Sequence, residues 1–260
     1  MKKDNSIIIG TGVIGGYLAK LLLSKRQRVI VTSRKIKKSY TNYNKLNIEN
    51  KVIFEELDVL KKKDILKLLK KYTPKNIFYF SGQSSLTKSI ISKNKARSIL
   101  SQIKAYKKVK TFRKMGVNCC SVVFLQVESP LRSNDFFIKK VCMHARLKKN
   151  IIVGNLNTIR DYSWAPEIVK GIYYLTKIKP RDLMLSSGQG ISGYEILKIA
   201  YKQNNLDYRK YFSTNKKFIR LNEIKVMMGS HKNYEILNKK FKYQIKTGGA
   251  KLVKKIFNSI

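Results

Sequence analysis

Three glycines near the N-terminus are spaced for contact with a pyrophosphate. The run Gly10-Thr11-Gly12-Val13-Ile14-Gly15 follows the apolar segment 6–9, which predicts a buried strand. It precedes apolar residues at helical spacing, which predict a helix from Ile14 to Ser24. Without side chains at the glycines, the backbone can approach phosphate oxygens, and the N–H groups at the helix start face them. The pattern predicts a dinucleotide-binding turn, although an ordinary tight turn could look the same.

The residues after the next two predicted strands indicate which dinucleotide would bind. Ser33-Arg34-Lys35 follows the strand predicted from Arg28 to Thr32, where proteins that bind NAD carry Asp or Glu for the ribose hydroxyls. A cation there favours the 2′-phosphate of NADP over NAD, although Arg34 also fits an exposed cation in a basic chain. Asp58 and the neighbouring Val59 follow the strand predicted over 52–57, in position to meet the adenine end.

The order of the predicted elements indicates the fold class. Strand, glycine turn, helix and strand form a βαβ unit, and the third strand is followed by a helix with apolar residues at 65–72 and a fourth strand, Asn76–Phe80. This alternation predicts an α/β fold with a Rossmann-like, doubly wound parallel sheet. We expect a shortened nucleotide-binding domain over residues 1–125.

The second half of the chain predicts a smaller, α-rich lobe over residues 126–260, partly interleaved with the first. A long basic helix from Ala96 to Met115 and a strand from Val117 to Phe124 lead into it. Helices are predicted near Asp135–Leu147, Ala165–Tyr174, Tyr194–Lys202, Tyr234–Phe241 and Ala250–Ile260.

The composition is strongly basic. The 260 residues include 56 Lys and Arg against 15 Asp and Glu, for a formal net charge of +41. Such a charge is typical of proteins that bind nucleic acid or anionic membranes. However, the lysines are spread among Asn, Ile and Tyr along the whole chain, as biased codon usage produces. We therefore interpret the charge as background and do not expect nucleic acid as a partner.

The cysteines and the apolar runs indicate the cellular compartment. Cys119, Cys120 and Cys142 lack the spacing of a zinc site, and an adjacent pair cannot easily form a disulfide bridge. No apolar run reaches the roughly 18 residues of a membrane span. We therefore expect a cytoplasmic protein without a metal site and without a membrane partner.

Further runs along the chain carry a resemblance to a known family. They are 11–19, 77–85, Glu128-Ser129-Pro130-Leu131-Arg132, 154–156, 160–162, 164–167, and Arg220-x-x-Glu223 followed by Gly229. Together they resemble the extended short-chain dehydrogenase/reductase family and, within it, the GDP-mannose 4,6-dehydratases. One departure is local, because that family places its first glycine where this chain has Ile9.

The resemblance implies ligands for a nucleotide sugar of the GDP-mannose type. Basic residues of the C-terminal lobe would neutralise the diphosphate by charge-assisted hydrogen bonds, Glu223 would accept from the nucleoside and Ser84 would reach the sugar. The implied substrate ligands are Ser84, Lys140, Asn155, Arg160, Arg220 and Glu223. Ser81 and Gly82, after the fourth strand, would contact the cofactor. For each substrate ligand, a solvated helix face or loop is the alternative interpretation.

The catalytic residues of the family have no clear counterpart. The family's reaction transfers a hydride from sugar C4 to NADP, eliminates water across C5 and C6, and returns the hydride to C6. Its catalytic residues are a Tyr and a Lys four residues apart, a Ser or Thr, and a Glu. After Ile90 the sequence passes directly to the catalytic helix, and the best register places Lys104 on the lysine and Leu100 on the tyrosine. Tyr106 and Lys110 have the required spacing but lie late in that helix.

We therefore expect an NADP-binding, dehydratase-like protein that recognises a nucleotide sugar but is catalytically impaired. One alternative is an active GDP-mannose 4,6-dehydratase or a related sugar-nucleotide dehydratase or epimerase. The other is a non-catalytic regulator or a polyanion-binding protein. Relative to the family, the chain omits a helix, a strand and a loop after Ile90. This omission predicts that strands 76–80 and 117–124 become neighbours or leave a gap, and it leaves the family's homodimer interface in doubt.

Overall fold

The N-terminal half contains the predicted parallel sheet. The computed structural model describes residues 4–34, 36–80, 107, 109–111, 113–116, 118–219 and 223–260. Its first sheet consists of β1 (Asn5–Ile9), β2 (Arg28–Ser33), β3 (Ile53–Glu56) and β4 (Asn76–Tyr79). The strands pair in the order β3-β2-β1-β4, all parallel. This is the order of the first half of a Rossmann fold, which confirms the predicted fold class.

Helices pack on both faces of this sheet. They are α1 (Val13–Ser24), α2 (Ile36–Lys45) and α3 (Lys62–Tyr72). On one face, Leu68 and Tyr72 of α3 pack with Ile7 and Ile30 of the sheet. On the other face, α1 lies so close that a side-chain carbon at Gly15 would lie 3.4 Å from Ile8. The sequence did not predict α2.

The strand predicted over 117–124 is mostly wrong. Only Val122–Phe124 (β5) is a strand, and it pairs with β9 (Leu183–Leu185), not with β4. The preceding backbone groups bind side chains instead: Arg113 donates to the carbonyl of Cys119 at 2.8 Å, and Ser121 N–H donates to the Asp182 carboxylate at 2.8 Å. Among the described residues, β4 pairs only with β1, so the predicted pairing of the two strands is wrong, and the gap stays a prediction.

The C-terminal half alternates short strands with helices. The remaining strands are β6 (Gln126–Glu128), β7 (Ile151–Val153), β8 (Ile159–Trp164), β10 (Gly190–Ser192), β11 (Phe212–Thr214) and β12 (Val226–Met227). The helices are α4 (Phe137–Arg146), α5 (Ala165–Leu175), α6 (Gly193–Lys202), α7 (Glu235–Phe241) and α8 (Gly249–Phe257). Short 3₁₀ helices cover Glu49–Lys51, Tyr208–Lys210, Lys216–Phe218 and His231–Tyr234. The five helices confirm the predicted α-rich character, but these short strands were not predicted.

Strand β8 organises the second half. Its first residues pair with antiparallel β10 and parallel β12, and its last residues pair with parallel β6. Helices α4, α6 and α8 enclose the main apolar core, in which Ile138, Leu197 and Leu252 are fully buried. Helix α6 begins with a capping box between Ser192 and Glu195, in which each side chain satisfies an N–H of the other.

Contacts divide the chain into two units. One comprises Met1–Ser121 with Ile172–Asp182, and the other Val122–Gly171 with Leu183–Ile260. Within the first unit, Arg113 forms a two-pronged ion pair with Asp182, with nitrogen–oxygen distances of 2.5 and 3.3 Å. This ion pair joins the segment Ile172–Asp182 to the N-terminal part of the same unit.

Candidate functional site

The glycine turn after β1 has a geometry that other residues could not adopt. Gly10 has a φ of +114°, a conformation that favours glycine. A Cβ on Gly15 would lie 2.2 Å from the carbonyl oxygen of Gly10, so α1 can approach the turn only because residue 15 lacks a side chain. The turn is held from the next strand by Gly10 N–H, which donates to the carbonyl of Thr32 at 3.2 Å.

The start of α1 is open and electropositive. Gly12 is the N-cap residue, no side chain caps the helix, and its first turn, beginning with Val13 and Ile14, contains no acidic residue. A Cβ built on Gly12 would meet no atom within 4 Å. The partial positive charge at a helix N-terminus stabilises an anion placed there. This space can therefore accept a phosphate group against the backbone.

Residues predicted to contact the cofactor lie along the same sheet edge. Arg34 directly follows β2 and is exposed, and Asp58 and Val59 follow β3. Since the carboxyl ends of neighbouring parallel strands share one edge, these residues flank the glycine turn after β1. Asp58 also accepts from Leu60 N–H at 3.1 Å, so part of its role is local. The predicted Ser81 and Gly82 lie outside the described residues.

One contact to the turn was missed from the sequence. Asn42, on the unpredicted helix α2, donates to the carbonyl of Thr11 at 3.4 Å. The same helix places Tyr43 in the core, with its ring edge-on to Phe54. Helix α2, which connects β2 to β3, therefore contacts the glycine turn through Asn42.

Two of the predicted substrate ligands contact each other in the second unit. Arg160, on β8, donates to the carboxylate of Glu223 at 3.3 Å and to its neighbouring carbonyl, Ile159, at 2.8 Å. Both side chains are largely buried, with 12% and 17% of their areas exposed. The structure therefore brings these two residues together as an ion pair. Arg220 lies outside the described residues.

The other predicted substrate ligands are more dispersed. Lys140 is partly buried on α4, and Asn155 is exposed in the loop after β7, where it accepts from Asn157 N–H at 3.0 Å. In the described part of the chain, neither forms a hydrogen bond with the Arg160–Glu223 pair. Ser84, Lys104 and Tyr106 lie outside the described residues.

A buried carboxylate next to Arg160 was not assigned a role from the sequence. Asp161 is fully buried and accepts from Ser187 Oγ at 2.5 Å and from the N–H groups of Gly188 and Gly229 at 2.8 and 3.3 Å. These charge-assisted bonds join β8 to the loops before β10 and after β12. Asp161 therefore fixes the backbone on which Arg160 stands.

A second buried charge cluster follows β6. Glu128 is 2% exposed, and its Oε2 atom has no hydrogen-bond partner among the described residues. Arg132 stacks on the Phe136 ring at 3.6 Å, and the buried ammonium of Lys139 donates to the carbonyls of Pro130 and Arg132, each at 2.7 Å. Burial raises the pKa of Glu128 to about 7, against the opposing charges of Arg132 and Lys139.

The described residues contain neither a candidate metal site nor a candidate membrane span. No three His, Cys, Asp or Glu side chains in that part of the chain are grouped so that they could hold a metal ion. None of its helices combines the length and the apolar character needed to cross a bilayer.

Solved structures share this fold. UDP-glucuronic acid 4-epimerase from Bacillus cereus, solved with UDP-glucuronic acid and NAD, superimposes with a TM-score of 0.81 over 98% of both chains at 11% identity. UDP-glucose 4-epimerase from Thermotoga maritima, solved with UDP-glucose, gives 0.79 over 98% of both chains at 13% identity. dTDP-glucose 4,6-dehydratase from Bacillus anthracis, solved with NAD, gives 0.78 at 11% identity, over 98% of this chain and 96% of that one. The fold is that of the epimerase and dehydratase branch of the short-chain dehydrogenase/reductases.

Sequence comparison narrows the class. The family model for GDP-mannose 4,6 dehydratase matches residues 7–99 and 95–256, and the chain belongs to this family. GDP-mannose 4,6 dehydratase 2 of Arabidopsis thaliana is 25% identical over 146 residues, which is 54% of this chain and 38% of the relative. GDP-mannose 4,6-dehydratase of Vibrio cholerae is 26% identical over 98 residues, 35% of this chain and 26% of the relative. The matched part thus spans well under half of either relative, and the predicted resemblance is confirmed.

The buried Glu128 predicts a pH-dependent stability. Because its pKa is higher in the folded chain, about 7, than its ordinary value of 4.5, the folded state binds the proton more tightly. Its contribution is complete below about pH 4.5 and is lost as the pH rises through 7, by up to about 3 kcal/mol. Urea unfolding between about pH 5 and pH 8 should show this fall, and Glu128→Gln should remove it. The exposed Glu56→Gln is the control, and an unchanged slope in Glu128→Gln would contradict the assignment.

Proposed function

We propose that this chain binds NADP and a GDP-linked sugar but has lost most of the dehydratase chemistry of its family. The observation that carries the proposal is the open space at Gly12, against the uncapped N-terminus of α1. This space lies after β1, next to β4. The strands β2 and β3 extend the sheet to one side of β1 and β4 extends it to the other, so the strand order reverses at β1. Ligands of open α/β sheets bind at such a point.

The residues at the sheet edge fit a phosphorylated dinucleotide. The glycine turn would receive the pyrophosphate, with Gly12 permitting close approach and the N–H groups at Val13 and Ile14 facing it. Arg34 would neutralise a 2′-phosphate, and Asp58 would approach the adenosine. When bound, the nicotinamide of such a cofactor accepts and returns a hydride. The preference for NADP over NAD rests on Arg34 and on the absence of an acidic residue directly after β2.

The second unit would hold the nucleotide sugar. Lys140 and Arg160 offer positive charge for a diphosphate, and Glu223 offers an acceptor to the nucleoside. The Arg160–Glu223 ion pair holds the two side chains in a fixed relation before a ligand arrives, which lowers the entropic cost of ordering them on binding. GDP-mannose is the substrate class, because the family and the two curated relatives carry that name.

The loss of chemistry is proposed from the sequence register. Leu100 stands four residues before Lys104, where the family has tyrosine, and leucine can neither give nor take a proton. In the family, the lysine's charge lowers the pKa of the tyrosine phenol, which is ordinarily near 10. In this sequence register the lysine is present as Lys104, but the phenol is not. Without a group to accept the proton of the sugar 4-hydroxyl, the hydride would not be transferred from C4.

Gly12→Ala tests the dinucleotide site. The added methyl group enters the space proposed for the pyrophosphate, so the affinity for NADP, measured by isothermal titration calorimetry, should fall about tenfold or more. Stability should fall by no more than about 1 kcal/mol, because residue 12 keeps an ordinary φ of −69° and Ala is a weaker N-cap than Gly. Gly15→Ala is the contrast: its methyl group meets Gly10 O, so it should lower the Tm strongly. Unchanged NADP affinity in folded Gly12→Ala would refute the site.

Arg34→Ala tests the choice of cofactor. Removing the guanidinium should weaken NADP binding about five- to tenfold and leave NAD binding unchanged, since only NADP carries the 2′-phosphate. Lys25→Ala is the matched control, because Lys25 is also exposed but precedes β2, at the opposite edge of the sheet. Equal losses for both cofactors would argue against a role in 2′-phosphate binding.

A product assay tests the catalytic impairment. Calorimetry first establishes that the protein preparation binds NADP. The protein is then incubated with NADP and GDP-mannose, and the amount of 4-keto-6-deoxy sugar nucleotide is measured. We expect no product above the level of Lys104→Ala. Product that disappears in Lys104→Ala would overturn the impairment, and its loss in Tyr106→Phe would identify Tyr106 as the replacement acid–base group.

A further inference from the structure

Three hydrogen bonds hold the backbone of the glycine turn. Gly10 N–H donates to the carbonyl of Thr32 at 3.2 Å, and the carbonyl of Gly12 accepts a helical hydrogen bond at 3.0 Å. The carbonyl between them, that of Thr11, accepts from the side-chain amide of Asn42 at 3.4 Å. Of these three bonds, only the one from Asn42 comes from a side chain, so it is the one that a substitution can remove.

The Thr11 carbonyl depends on an outside partner because glycine lies on both sides of it. Gly10 has a φ of +114°, and neither Gly10 nor Gly12 carries a Cβ that would restrict the adjoining peptide groups. Without a partner for the Thr11 carbonyl, the turn would populate several peptide orientations. Fixing one of them on binding would then cost conformational entropy and weaken the ligand's affinity.

The hydrogen bond from Asn42 sets the direction of a backbone donor. No cis peptide bond occurs among the described residues, and in a trans peptide the carbonyl and the following N–H point in opposite directions. Because the Thr11 carbonyl is directed at Asn42, Gly12 N–H is directed away from α2. Among the described residues, this N–H donates to no acceptor. It can therefore donate to an anion at the uncapped start of α1.

Helix α2 holds Asn42 in a fixed position. The next residue, Tyr43, is fully buried and packs edge-on against Phe54 of β3, with ring centroids 5.2 Å apart. Leu46, one turn further along the helix, is also buried. A donor on a helix that the core anchors is in place before a ligand binds, which lowers the cost of binding.

We propose that Asn42 is a positioning residue for the pyrophosphate of a dinucleotide. Through the Thr11 carbonyl, it holds Gly12 N–H in the direction of the phosphate oxygens. This inference rests on the proposed dinucleotide site and adds to it a residue that acts without touching the ligand. Because NADP and NAD share the pyrophosphate, Asn42 should affect the binding of both equally, whereas Arg34 should affect NADP alone.

The test removes the amide and keeps the helix. Asn42→Leu keeps the size of the side chain, and Leu favours helix more than Asn does, so the Tm should not fall. Titration calorimetry should show NADP and NAD each binding about three- to tenfold more weakly, as expected for the loss of one hydrogen bond. Asn42→Gln keeps the donor and should recover most of the affinity. Asn44→Leu, exposed on the same helix, is the matched control and should change neither affinity.

Two further measurements separate positioning from general damage to the fold. Adenosine 2′-monophosphate lacks the pyrophosphate, so its affinity, measured by competition with NADP, should be unchanged in Asn42→Leu and reduced in Arg34→Ala. In Gly12→Ala, the close approach of the phosphate is already lost. Adding Asn42→Leu to that variant should weaken NADP binding by less than about twofold, because both substitutions act on the same contact.

Three results would overturn the inference. Full affinity for both cofactors in folded Asn42→Leu would remove Asn42 from the site and leave the proposed function intact. An equal loss of affinity for adenosine 2′-monophosphate, or a fall in Tm that Asn42→Gln does not reverse, would reduce the residue to a structural role. Wild-type protein that binds neither NADP nor NAD would refute the proposed function, and this inference with it.

Discussion

The contact between the start of α1 and the turn after β1 is the constraint on which the candidate site depends. A Cβ at residue 15 would lie 2.2 Å from the carbonyl oxygen of Gly10, so the helix can approach this closely only because residue 15 is glycine. The same approach keeps the uncapped N-terminus of α1 next to the turn, where the space at Gly12 is open. Backbone packing, more than any charged side chain, therefore shapes this part of the protein. In the proposed function, Arg34 would add selectivity for NADP to a turn whose backbone shape the glycines determine.

The second unit is organised differently, by buried charges. Asp161 holds two loops to β8 through hydrogen bonds, and Lys139 holds the turn after β6. Each ion is satisfied largely by backbone groups, which is how a buried charge becomes tolerable. Glu128 is the exception among the described residues, because its Oε2 atom has no hydrogen-bond partner there and burial raises its pKa to about 7. The Arg160–Glu223 pair rests on this framework.

The sequence predicted the first sheet and most helices because their apolar periodicity is strong. Helix α2 was missed because Ile36–Lys45 is mainly polar, although its Tyr43 is buried. The strand over 117–124 was overextended because an apolar run does not reveal that Arg113 and Asp182 would bind its backbone. In the site, the glycine turn was foreseen from a local motif. The Asp161 network was not, because its partners are 26 to 68 residues away in sequence.

The Arg113–Asp182 ion pair has a consequence for synthesis on the ribosome. Asp182 follows Arg113 by 69 residues, and most of the intervening chain belongs to the other unit. At roughly 5–20 residues per second, Arg113 is made about 3–14 seconds before its partner. The N-terminal unit therefore cannot mature strictly before its successor begins to emerge, and nascent chains must pass through a stage in which a basic segment awaits its carboxylate. This delay follows from the order of the chain and is separate from the stability of either finished unit.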